Sequence, residues 1–171
     1  MTKEELTEYI SPRHMWEYAA NEERARSNGR ETIEDITIKY GLDTILSIVD
    51  QFIIDFISFV KSSKKPTNND IRELSLITCI EYKYIKITEL PIFFCKLKAG
   101  KFGKFYNNLD PQDITSALCQ FANDSRAHTR ALTERETREK EEKERESATH
   151  NAIRFETAVK EGLLKNLSRI S

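Results

Sequence analysis

Lys96, Lys98, Lys101 and Lys104, interleaved with Phe102, Phe105 and Tyr106, stand within the run IFFCKLKAGKFGKFYNNLDPQDITSALCQF at residues 92–121. Cationic side chains among aromatic ones suit one kind of chemistry: ammonium groups neutralise phosphates while the rings stack on bases. From Lys86 to Tyr106 the lysines meet one acid, Glu89. The candidate contacts to DNA or RNA are therefore Lys96, Lys98, Lys101, Lys104 and Tyr106. A structural reading competes, in which the rings anchor a corner between helices and the lysines are solvated. Gly100 and Gly103 give a glycine-x-x-glycine loop of the kind that clamps a backbone in KH modules, but those need flanking strands that this sequence does not supply.

Other chemistry is sparse. His14, His128 and His150 are dispersed and lack the helical His-Glu spacing of a zinc hydrolase. Ser125 and His128, three apart on one helix, lack the third group and oxyanion loop of a triad. Cys79, Cys95 and Cys119 fit no zinc or redox spacing and are expected to be reduced core residues. The acids of the segment TERETREKEEKERE at 133–146 alternate with bases in water, without the burial that separates carboxyl pKa values for acid–base work. The expectation is no enzyme, no metal, no cofactor and no small-molecule substrate.

The elements that position the lysines read as helices. Gly100, after the basic turn Lys96-Leu97-Lys98-Ala99, should end a helix that Thr88 caps, with Pro91 tolerated in its first turn. Asp110-Pro111-Gln112-Asp113 reads as a cap, a proline at the first helical position and an acid in the first turn. The helix from Pro111 should bury Ile114, Leu118, Phe121 and Ala122. Upstream, a helix is expected from Ser11-Pro12 to Asn28-Gly29, anchored by Trp16. A short one should run from Thr32 to Tyr40-Gly41, and a long apolar one from a cap at Asp43 to Val60. That last helix, with Ile45, Leu46, Val49, Phe52, Ile53, Phe56 and Ile57 over a wide arc, reads as central. KSSKKPTNN at 61–69 is a loop whose Asn69 caps a helix burying Ile71, Leu74, Ile77, Thr78 and Cys79. Lys83 to Ile87 alternates like a strand but has no evident partner, so a connector is expected.

Past Ala122 apolar residues almost vanish, and pairs such as Glu136–Lys140 and Glu139–Lys143 would each add about 0.2–0.5 kcal/mol to an exposed helix. From Asn151 amphipathicity returns: Ile153, Val159, Leu163, Leu164, Leu167 and Ile170 form a stripe that must fold back, pair with a second copy or engage another protein. The fold class is all-α, a compact helical body over 1–122, a charged helical extension over 123–149 and an amphipathic helix over 150–171.

The chain of 171 residues carries 27 basic and 28 acidic residues, so nucleic-acid affinity would need a local patch. Acids at Glu4 and Glu5 oppose a signal peptide, and the apolar run 45–60 is interrupted by Asp50 and Asp55 and too short to span a membrane, so a cytoplasmic location is expected. The run from Leu90 to Arg126, with Phe93-Phe94, Lys98, Gly100 to Tyr106, Leu109-Asp110, Ile114, Leu118, Phe121 and Arg126, resembles a motif in small proteins of Bacteroides-type bacteria, their phages and mobile elements. The resemblance covers under a quarter of the chain. It brings no activity; it implies a phage or mobile-element context tied to DNA replication. Two readings follow. One is a noncatalytic nucleic-acid-associated accessory protein, such as a replication or helicase-loading factor. The other is an oligomeric structural or adaptor protein, or a phage inhibitor of a host system, acting by protein–protein contact. Charge geometry separates them. A basic loop continuous with Lys61, Lys64, Lys65 and Arg72 favours the first, and a neutralised loop the second.

Overall fold

Three threonines open three helices by the same device. Thr2, Thr32 and Thr67 each accept a hydrogen bond at 3.2 Å from the backbone N–H three residues on, and Glu5, Asp35 and Asp70 there accept the threonine N–H in return. Each reciprocal pair satisfies two otherwise orphaned donors, and losing a cap costs about 1 kcal/mol. The structure, a computed structural model, describes residues 2–28, 31–62, 65–103 and 109–167, with side chains except those of residue 28 and residues 151–167. Its helices are α1 (Lys3–Tyr9), a 3-10 turn (Pro12–His14), α2 (Met15–Ala20), α3 (Glu22–Asn28), α4 (Ile33–Tyr40), α5 (Leu42–Phe59), α6 (Asn68–Glu81), α7 (Glu89–Lys98) and α8 (Pro111–Leu167). The fold is all-α, and among the described residues the one extended pairing is an isolated bridge between Thr32 and Lys86. The chain divides into two compact units, Met1–Ser125 and Arg126–Ser171.

In the first unit, α5 and α7 hold the centre. α5 buries Ile45, Leu46, Ile48, Val49, Phe52, Ile53, Phe56 and Ile57, and packs against α4, α6 and α7. α7 is buried nearly all round, from Glu89 through Cys95 and at Leu97, because α2, α3 and α5 cover it. Phe52 stacks on Phe94 with ring centroids 5.2 Å apart, and Phe93 meets Phe94, Phe102 and Phe121 within 5.7 Å. These aromatic contacts make α7 the hub.

Several local expectations are corrected. The helix expected from Ser11 to Gly29 is broken at Asn21, whose φ of −124° and ψ of 48° leave the helical region and whose side-chain amide donates to the Glu17 carbonyl. An asparagine that bonds the local backbone competes with the helix for that carbonyl. Ser11 does not cap: its hydroxyl is buried without a hydrogen-bond partner among the described residues. Trp16 is no anchor, being 58 % exposed, while its neighbour Met15 is buried. Helix α1, which places Leu6 in the core, was not expected at all. α5 begins one residue before Asp43, after Gly41 at φ 89°. Thr67, and not Asn69, caps α6, and Ile77 is exposed. The connector at 83–87 has a partner after all: Ile33 N–H donates to Ile85 O, Glu34 N–H to Lys83 O and Ile87 N–H to Glu31 O, so it is pinned along the start of α4.

The second unit is the remainder of α8. No backbone break separates the charged segment from the amphipathic one, so the two elements expected there are one helix. Residues from Arg126 to His150 are exposed apart from half-buried His128 and Leu132, and Arg135 closes an i, i+4 pair on Glu139 at 2.9 Å. Such pairs suit a solvated helix.

Candidate functional site

The basic stretch begins on α7 and turns at its end. Gly100 has φ 72°, and the N–H groups of Gly100 and Lys101 donate to Leu97 O and Lys96 O, which satisfies the last carbonyls of the helix. Gly103 follows at φ 119°. Between them Phe102 turns inward onto Phe93 and Phe121. A Cβ at Gly100 would clash with nothing, its nearest neighbour being Gly103 O at 3.6 Å, so the cost of a side chain there is backbone strain. Gly100→Val should therefore lower stability by about 1–2 kcal/mol, read as a lower melting temperature with an unchanged circular dichroism spectrum. An unchanged melt would contradict the left-handed helix end.

The lysines are not a free row. Lys96 Nζ lies 2.6 Å from Glu22 Oε1 and over the ring of Phe121. Lys98 Nζ lies 2.5 Å from Asp55 Oδ2 and over the ring of Phe59, with its side chain only 9 % exposed. Lys86 donates to the Arg26 carbonyl. Arg72 is closed on Asp50 at 3.3 Å and Asp43 at 3.7 Å. Lys101 is exposed, as are Lys61 and Lys65. Lys64, Lys104, Phe105 and Tyr106 lie outside the described residues, as do Ile170 and the side chains of Ile153, Val159, Leu163, Leu164 and Leu167.

Beneath the lysines lies a polar network that the sequence reading missed. Glu89, at the start of α7, is 3 % exposed, and Arg26 of α3 is 5 % exposed. Arg26 donates to Glu89 Oε1 at 2.6 Å and, through Nε and a second terminal nitrogen, to Glu22 Oε1 at 3.0 and 2.8 Å. Ser125 of α8 also donates to Glu89 Oε1, and Glu89 Oε2 accepts Lys86 N–H. The Arg26 guanidinium sits 5.2 Å from the centre of the Phe121 ring. Thr88, expected as a cap, instead donates its hydroxyl to Ala25 O. Glu22 thus receives two cations: burial pushes its carboxyl up, but the hydrogen bonds from Lys96 and Arg26 outweigh burial and hold it below its ordinary value. Two buried charges need this full set of partners. One sequence signal was available, since Ser125 continues the buried spacing of Ile114, Leu118 and Phe121.

Ser125, bonded to Glu89, is directed into the network. Burial raises the Cys79 thiol to about 12 and the Cys95 thiol above its ordinary value, which leaves little thiolate at neutral pH. Cys119, expected in the core, is exposed. No group of three metal-ligating side chains occurs among the described residues. No helix there is long and apolar enough to cross a membrane.

Residues 64–168 match a family of unknown function, DUF6633. The chain belongs to that family. No curated protein and no solved structure matches the chain. The DUF6633 match takes in α6, α7, the glycine turn and all of α8, but it starts after α5. Helix α7 lies within the match, while α2, α3 and α5, which cover it, lie outside. In this DUF6633 member the matched segment therefore depends on the N-terminal helices to bury its most apolar element.

Proposed function

We propose that the protein acts by protein–protein contact, as a noncatalytic adaptor or a phage-type inhibitor of a host system, and that the apolar stripe of the C-terminal segment is the contact element. One observation carries this reading: Lys96 and Lys98 are engaged by Glu22 and Asp55, so two of the four lysines that would have met a polyanion are neutralised from within. The stripe formed by Ile153, Val159, Leu163, Leu164, Leu167 and Ile170 then carries the interaction, since apolar side chains on a charged helix gain about 1.5–3 kcal/mol each on full burial. The nucleic-acid reading retains exposed Lys101 and the neighbouring Lys104, in the phage or mobile-element replication context that the motif resemblance implies.

Sedimentation and gel shift separate the two. Wild-type protein should show no salt-dependent shift of single- or double-stranded DNA, whereas a shift at low salt that the triple Lys98→Ala, Lys101→Ala, Lys104→Ala variant loses would establish the nucleic-acid reading instead. Leu163→Asp with Leu167→Asp should turn a wild-type oligomer into a monomer where the partner is a second copy. A wild-type monomer whose melt the double variant leaves unchanged points to a different protein as partner. A lowered melt in the variant monomer would mean that the stripe is covered within its own chain and would overturn the proposal.

A further inference from the structure

A groove of about 770 Å³ opens in the first unit between α1, the 3-10 turn, α2 and α3, on the side of Ile87 and Thr88. Its size is that of a small-molecule site, for which about 300–1,000 Å³ is usual. The floor is apolar and fully packed beneath: Leu6, Ile10, Ala25 and Ile87 are all buried in the core yet line it. One wall is aromatic, Tyr9 and Tyr18 meeting edge to face with centroids 5.7 Å apart, and the Tyr18 hydroxyl donates to Tyr9 O. Burial raises the Tyr18 phenol above its ordinary pKa.

The polar groups at the rim divide into engaged and free. Glu17 is paired with His14 Nδ1 at 3.3 Å, Glu31 with Lys39 at 2.9 Å, and the Thr88 hydroxyl is bonded to Ala25 O. Arg24, also lining the groove, has no hydrogen-bond or ion-pair partner among the described residues. A guanidinium fork matches a carboxylate with two parallel hydrogen bonds. Arg24 offers a monoanion one unpaired cation, whereas a phosphate dianion would need more positive charge than the rim leaves free beside Glu17 and Glu31.

We propose that this groove binds a small amphipathic carboxylate, with its apolar body on Leu6, Ile10, Ala25 and Ile87 and its head group on Arg24. The site is independent of the C-terminal stripe, so it stands or falls separately from the adaptor reading.

The test uses the full chain and three probes of equal tail length, decanoate, decan-1-ol and decylammonium, titrated calorimetrically below their aggregation concentrations. Decanoate should bind about tenfold more tightly than decan-1-ol, the yield of one charge-assisted contact at a partly exposed rim, and decylammonium more weakly than both. Arg24→Gln, at an exposed position, should remove the advantage of decanoate and leave decan-1-ol binding as it was. His14→Trp, filling the groove from its rim, should abolish both, with circular dichroism confirming an unchanged fold. The proposal is overturned if none of the probes binds, if decanoate is no tighter than the alcohol, if Arg24→Gln leaves the advantage in place, or if His14→Trp leaves binding intact.

Discussion

Glu89→Ala should cost about 3–5 kcal/mol, the largest effect of any polar substitution in the body. The side chain is buried and takes hydrogen bonds from Arg26, Ser125 and the Lys86 backbone. Its removal leaves the Arg26 guanidinium in an apolar setting with Glu22 as its remaining carboxylate, and the Ser125 hydroxyl and Lys86 N–H without their acceptor. Glu89→Gln should cost less, because an amide oxygen can still accept although the charge is gone. A fit control is Glu34→Ala, which breaks an exposed pair with Lys83 and should cost under about 1 kcal/mol. Urea denaturation measures all three. A cost for Glu89→Ala no larger than for Glu34→Ala would show that the buried pair is not formed in solution.

Phe121→Ala should destabilise by a similar amount, about 3–5 kcal/mol, for a different reason. Its ring touches those of Phe93 and Phe102, and both Arg26 and Lys96 place a cation over it. Deleting the ring opens a cavity and removes two cation–π contacts at once. Phe121→Leu, which keeps most of the volume but no π face, divides the two contributions: the part of the loss that leucine recovers is packing, and the remainder includes the cation–π share. Leu132→Ala, half-buried and beyond the body, should change the melt little.

The sequence was most legible where one residue type has one conformational use. Gly100 ending α7, Asp110-Pro111 opening α8, and Thr32 with Asp35 opening α4 all stand as expected, because caps and positive φ are local properties. It was least legible where a side chain's fate depends on a residue far along the chain. Lys96 and Lys98 read as a solvated basic row, yet their partners Glu22 and Asp55 lie 74 and 43 residues away. Arg26 and Glu89, 63 residues apart, gave no local sign of pairing. Trp16 shows the opposite error, in which a bulky apolar residue at plausible spacing was read as buried. The groove was invisible for the same reason as the network, being assembled from three short helices, two of which are separated by a break at Asn21.

The exposure of Trp16 also governs how this protein can be watched. It is the chain's only tryptophan, and it stands mostly in water on α2. Indole emission should therefore lie at long wavelength in the native state and shift little on denaturation. Fluorescence will understate the loss of the core, and the transition is better followed by far-ultraviolet circular dichroism. An added indole at a core position, for example Phe52→Trp on α5, would supply the optical signal that the native chain lacks.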